Sequence, residues 1–253
     1  MGPGGVTGAV GASAAVNDIS NTVRAVVADQ STITASHISV EALSNADIIV
    51  ATLGFAGGVS GGGTGGVSLS GAGAGSVNLI INNLDAKISE STVTTLGEPT
   101  LEHPNSVIVL AKDDSSVIAT AGAGAFGVAG GGTGGVTAQA GASLAINTIV
   151  NSITATIVGS TINANGTNSH VAVLAESDAE IIISTIGFAG GASGGGTGGV
   201  NISGGASGSG NGIANELEAS IKASVVKDDQ GNATGLRPSQ VSATGNVSLM
   251  AED

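Results

Sequence analysis

The chain has 253 residues, 44 of them Gly, with no Cys, Trp or Tyr and only three Phe as aromatics. So few large side chains exclude a thick, aromatic-filled globular core, and the Ala, Val and Ile that dominate suit a thin core between close backbones. The net charge of −13, from 19 acidic and 6 scattered basic residues, leaves no basic patch for phosphates, so nucleic acid is not an expected partner.

Met1 stands outside the repeat and is expected to be foreign to it. Gly2-Pro3-Gly4-Gly5-Val6 is a degenerate copy of the heptapeptide GGGTGGV, which recurs at Gly61–Val67, Gly130–Val136 and Gly194–Val200. No basic and then apolar segment lies in Met1–Gly5, so this stretch is not expected to be a secretory signal. Counted from the Gly-x-Gly-Gly at 2, 63, 132 and 196, the spacings are 61, 69 and 64 residues. The repeats are therefore 2–62, 63–131, 132–195 and 196–253, the last truncated. Such a period marks a repeat architecture.

Each glycine run leads to an Asn-x-x-x-Asn: Asn17/Asn21, Asn78/Asn82, Asn147/Asn151 and Asn211/Asn215. Two residues on stands an aliphatic side chain (Val23, Leu84, Ile153, Leu217), and two further an Ala (Ala25, Ala86, Ala155, Ala219). Polar and apolar residues alternate through Thr22–Val26, the period of a strand. Runs such as Ile48-Ile49-Val50 and Ile181-Ile182-Ile183 argue for a folded chain over a disordered one. Alternating segments recur as Val107–Lys112, Val171–Glu176 and Val247–Glu252, and Phe55, Phe126 and Phe188 each open a glycine run.

These features predict an all-β fold, a single elongated parallel β-solenoid with Gly-rich turns. Strands of four to seven residues, in coils of about 20, give about three coils per repeat and a rod roughly 60 Å long for about 12 coils. A bundle of polyproline-II helices needs Gly at strict thirds, which GGGTGG does not keep. In the solenoid, Asn is expected at corners, paired with neighbouring backbone. Ala25 and its equivalents are expected in a narrow interior, and the three Phe in wider interior space.

The pattern resembles the repeats of large secreted bacterial adhesins, of the filamentous or leukotoxin-like kind, and of autotransporter passengers. GGGTGGV, GASLAIN (Gly141–Asn147) and VLAKDDSSVIATAGAG (Val109–Gly124) carry the likeness, which spans essentially the whole chain. It implies a β-helical stalk exported to the cell surface or extracellular matrix, meeting a host or other cell along its side or at a remote tip.

GGGTGGV lacks the Gly-Lys-Ser/Thr of a phosphate loop, and Gly71–Gly75 echoes a dinucleotide fingerprint without a following helix. The calcium nonapeptide of toxin repeats needs an Asp where Thr and Gly stand here. Asp113/Asp114 and Asp228/Asp229 remain calcium candidates, each pair following a Lys in a turn-like segment, with a solvated turn as the plainer reading. Paired carboxylates for glycoside hydrolysis lack an aromatic to stack a sugar. His37 and His170 each precede a Phe by 18 residues and, with His103, read as exposed strand starts more than as zinc ligands. Thr32/Thr34 and Thr92/Thr94 suggest an ice-binding ladder, broken by Thr161-Ile162-Asn163 in the third copy and Val225 in the fourth.

The expectation is a non-enzymatic stalk or filament module without a cofactor, its partners being neighbouring repeats and other copies stacked end to end. No apolar stretch reaches the ~18 residues of a membrane helix, so insertion is not expected. The alternative is a solenoid that binds ice, a glycan or calcium.

Overall fold

The alternation seen around Thr22 runs much further than the sequence suggested. In the structure, a computed structural model describing residues 2–253 with Met1 outside them, the first repeat forms β1 (Gly5–Val27), β2 (Thr32–Ala35), β3 (Ile38–Ser44) and β4 (Asp47–Gly62). The second forms β5 (Gly66–Ser89), β6 (Thr92–Thr95), β7 (Val107–Asp113) and β8 (Ser116–Gly131). The third forms β9 (Gly135–Val158), β10 (Thr161–Ala164), β11 (Val171–Ser177) and β12 (Glu180–Gly195). The fourth forms β13 (Gly199–Lys222), a hairpin of β14 (Ser224–Lys227) and β15 (Ala233–Arg237), then β16 (Gln240–Ala243) and β17 (Val247–Glu252).

Equivalent strands pair in parallel as β1-β5-β9-β13, β2-β6-β10-β16, β3-β7-β11-β17 and β4-β8-β12. Among the described residues, only the β14–β15 hairpin is antiparallel. The chain is an all-β parallel solenoid, and the described residues contain no helix.

Register corrects the coil size. Gly5 pairs with Gly66, Gly66 with Gly135, and Gly135 with Gly199. One repeat is thus one coil, and the expected three coils per repeat are not formed. Four coils at about 4.8 Å per step put the first and last backbones about 14 Å apart, while the 24 residues of β5 extend about 80 Å. The long dimension therefore lies across the coil.

Glycine is the reason for the difference. Sequence reading took glycine tracts as corners, yet Gly71, Gly73 and Gly75 lie mid-strand in β5. Among the described glycines, positive φ occurs only at Gly134, Gly159, Gly198 and Gly231. The corner after the long strand instead uses left-handed residues: Asp29 and Gln30 (φ 60° and 58°) in the first coil, Glu90 (φ 50°) in the second and Gly159 (φ 56°) in the third. Asp and Asn-like side chains and Gly tolerate that region best.

Side-chain size makes the coil a wedge. At the wide end Leu84, Ile88, Val93, Val109, Ile153 and Ile162 fill the space between three sheets, together with Ala86 and Ala155. Further along lie Ile48, Ile80, Val117 and Ile149. Next the core is Ala alone, with Ala56, Ala72, Ala74, Ala123 and Ala125. Past that, backbones meet: a Cβ on Gly5 would lie 2.6 Å from the Gly61 carbonyl oxygen. The two sheets converge because the residues between them shrink from Ile to Gly, and the coil ends in a thin two-layer wing.

Candidate functional site

The Asn-x-x-x-Asn motif sits on the inner face of the long strands, not at corners, so that expectation is corrected. The inner face follows from the period of two, which buries Asn78, Asn82, Asn147 and Asn151. Their partners are the same residues one coil away, not backbone. Nδ2 of Asn17 donates to Asn78 Oδ1 (2.7 Å), Asn78 to Asn147 (2.6 Å) and Asn147 to Asn211 (3.2 Å). A second ladder runs from Asn21 to Asn82 (3.2 Å) and Asn82 to Asn151 (3.1 Å), while Asn215 donates to Asp253. An amide carries both a donor group and an acceptor, so each rung satisfies the next.

Asp113 joins the second ladder. It ends β7 with its side chain inward and fully buried, where Ser44 and Ser177 stand in the adjacent coils. Its Oδ1 accepts from Asn82 (2.8 Å) and Ser115 (2.7 Å), and its Oδ2 from Asn151 (2.7 Å). Burial pushes its carboxyl above the ordinary 3.8, against the lowering effect of the Ser115 and Asn151 donors and with a further rise from the Asp114 charge. Asp114 faces solvent, so the two carboxylates point apart and do not form one ligand set. In the turn between β14 and β15, Asp228 accepts the backbone N–H groups of Gln230 (3.0 Å) and Asn232 (2.8 Å), which hold its carboxyl below the usual range. Asp229 is exposed. Among the described residues, no three His, Cys, Asp or Glu side chains converge as a metal-binding group.

His37 and His170 occupy equivalent places one residue before β3 and β11. His103 comes from segment 96–106, present in the second coil between β6 and β7, and its ring stacks on His37 at 5.0 Å. Together with Glu41, Glu102 and Pro104 they line an open cavity of about 530 Å³. The threonine row is also clarified: Thr32, Thr92 and Thr161 are paired neighbours and Gln240 follows. Val225, taken for the fourth-copy position, belongs to the inserted β14–β15 hairpin.

The surface that sequence reading missed is the wing. Inward positions of β5 there are Ser68, Ser70, Ala72, Ala74 and Ser76, and outward ones include Val67, Leu69 and Val77. Ser68 and Ser70 hydroxyls bridge the layers to the carbonyls of Gly58 (2.9 Å) and Phe126 (2.7 Å). Polarity is inverted relative to an ordinary sheet, with hydroxyls inside and aliphatics outside. The three Phe are corrected accordingly: Phe55, Phe126 and Phe188 are 59%, 52% and 39% exposed on the outer β4–β8–β12 face. Phe188 packs edge-on to Phe126 (5.4 Å) and Phe55 (6.4 Å), and its ring covers Gly124 on the next strand. No Phe ring fits inside, where Phe126 and its strand lie close enough for the Ser70 hydroxyl to reach a carbonyl of the facing layer. The alternating pattern was legible, but it did not say which of its two faces turned inward.

Comparisons with family models, curated proteins and solved structures returned no match.

Proposed function

We propose that this chain is a structural module, a solenoid stalk or filament segment of a secreted bacterial surface adhesin or biofilm-matrix protein, without a catalytic role. The observation that carries the reading is the ladder from Asn17 through Asn78 and Asn147 to Asn211, in which every rung meets the same residue of the adjacent coil. A stack whose units contact only their neighbours lengthens by repetition and needs no new core. Its edge strands, such as β13, offer backbone groups to a further coil of the same or another chain. The resemblance of GGGTGGV and GASLAIN to secreted adhesin repeats supports the surface location.

The test is removal of one whole repeat, residues 132–195. A modular stack stays folded with a modest fall in melting temperature and loses one step of about 4.8 Å. Loss of all folded structure would point to an indivisible domain and overturn the reading.

The cavity beside His37 and His103 favours a second reading, a specific binding solenoid. Because segment 96–106 is peculiar to the second coil, a ligand there would be bound once per chain. A melting temperature that rises steeply with an oligosaccharide, and no longer does so when residues 97–105 are shortened, would support it.

A further inference from the structure

The wing presents two different apolar faces. On the β4–β8–β12 side, Phe55, Phe126 and Phe188 stand up as a ridge, flanked by Leu53 and Ile186. On the β1–β5–β9–β13 side, the outward row Val10, Gly71, Ala140, Gly204 and the next row Ala12, Gly73, Ala142, Ala206 carry mostly small side chains. Val10, Gly71 and Ala140 of the first row floor a depression of about 490 Å³ whose walls include Leu69 and Ile202.

Ridge and trough lie at the same level on opposite sides of one thin wall. A Cβ on Gly11 would strike the Phe55 carbonyl, one on Gly141 the Phe188 carbonyl, and Ser70 donates to the Phe126 carbonyl. Hence a second wing laid over the first by simple translation sets its ridge into the trough without any slip along the strands.

We infer that the two faces of the wing are the halves of a lateral, face-to-back contact between copies of this chain, the phenylalanine ridge of one seated in the small-residue trough of the next. The contact goes beyond the stalk reading, since coil stacking uses strand edges and this uses sheet faces. The contact is heterologous, with different surfaces meeting, so it propagates as an open row of copies.

Size and charge are consistent with that occupant. The three-stranded ridge face is about 14 Å by 43 Å, on the order of 600 Å² per partner, the lower bound for a specific interface. Outward positions from Val136 to Ile146 carry no charge, whereas Arg24, Asp85, Glu216 and Glu218 lie toward the wide end. The acidic parts of two chains thus stay in water while the neutral wings stack. A lipid bilayer is a less fitting occupant, because the edge strands β1 and β13 would bring unpaired backbone groups into hydrocarbon.

The chain has no Cys, so single-cysteine variants give an unambiguous readout. Val128→Cys, on the ridge face, and Ala138→Cys, beside the trough, are mixed under mild oxidation. Face-to-back stacking predicts disulfide dimers in the mixture at least about tenfold above either variant alone. Dimers from Ala138→Cys alone would mean face-to-face packing and overturn the arrangement, and so would no dimers at all. In parallel, Gly71→Lys/Gly73→Lys places charge where an added Cβ meets open space, so the fold is retained. That variant should sediment as a monomer at concentrations where the parent associates, with unchanged circular dichroism. Equal association of both proteins would place the contact at the edges and contradict the proposal. Binding of the parent to neutral phosphatidylcholine vesicles without cross-linking would assign the wing to a membrane instead. Mixed cross-linking that persists while the repeat-deletion test fails would sink the stalk reading and leave this contact standing.

Discussion

Asn78 donates from Nδ2 to Asn147 Oδ1 at 2.6 Å, from the same place in the next coil, 69 residues on. Both side chains are buried, so neither amide has water as an alternative partner. Asn147→Ala removes one acceptor and one donor at once, leaving Asn78 and Asn211 half-bonded. The expected cost is about 1–3 kcal/mol, read as a lower urea midpoint at unchanged m-value. Asn17→Ala, at the partly buried end of the ladder, should cost less than half as much. Equal effects at both sites would show that the ladder is not cooperative with burial.

Asp113 gives the pH response. Its folded-state affinity for a proton exceeds the unfolded one because burial disfavours the carboxylate. Over the range above 3.8 the native state then binds more proton than the unfolded state, and stability falls as pH rises through that range. Asp113→Asn keeps the size and removes this titration. The difference between variant and parent unfolding free energies should grow from near pH 4 upward and then level off. A difference independent of pH would show that burial does not shift this carboxyl.

Two glycines separate backbone need from surface tolerance. An added Cβ on Gly141 would meet the Phe188 carbonyl across the wing, and one on Gly73 meets nothing within 4 Å. Gly141→Ala should therefore destabilise by about 2 kcal/mol or more, through strain between layers that have no room to part. Gly73→Ala should be neutral or stabilising by a few tenths of a kcal/mol, because Ala restricts the unfolded chain. Thermal melts of the two single variants compare them, and similar destabilisation of both would contradict the wedge.

Calcium should have little effect on stability. Asp113 points into the core with both oxygens already bonded, Asp114 points out, and Asp228 spends Oδ1 on its own turn. Millimolar Ca²⁺ is expected to leave the melting temperature within about 1 °C. A rise that scales with Ca²⁺ concentration would restore these residues as a binding site.

The parallel stack was legible because the repeat is strong: GGGTGGV and Asn-x-x-x-Asn set which residues are equivalent. Their register was not, since three coils per repeat would hold equivalent residues three steps apart, whereas the structure pairs them directly. Coil length was not legible. Gly71, Gly73 and Gly75 look like breakers in sequence, but between two converging layers an extended glycine is what lets backbones approach, so β5 runs through them. The inside and outside of the wing were hidden for the same reason. Alternation fixes two faces, and hydrophobicity normally tells which is inner; here thickness decides, putting Ser70 in and Phe126 out. Asp113 looked like half of an acidic pair because adjacent carboxylates read alike in sequence, while alternation at the end of β7 turns Asp113 inward and leaves Asp114 outside.

The claim that one repeat makes one coil is tested most directly by a distance between spin labels at positions 22 and 216, both outward-facing and paired stepwise through Asn83 and Ser152. Three steps of about 4.8 Å predict backbones about 14 Å apart. A separation of about 43 Å, the nine steps that three coils per repeat would require, would contradict it.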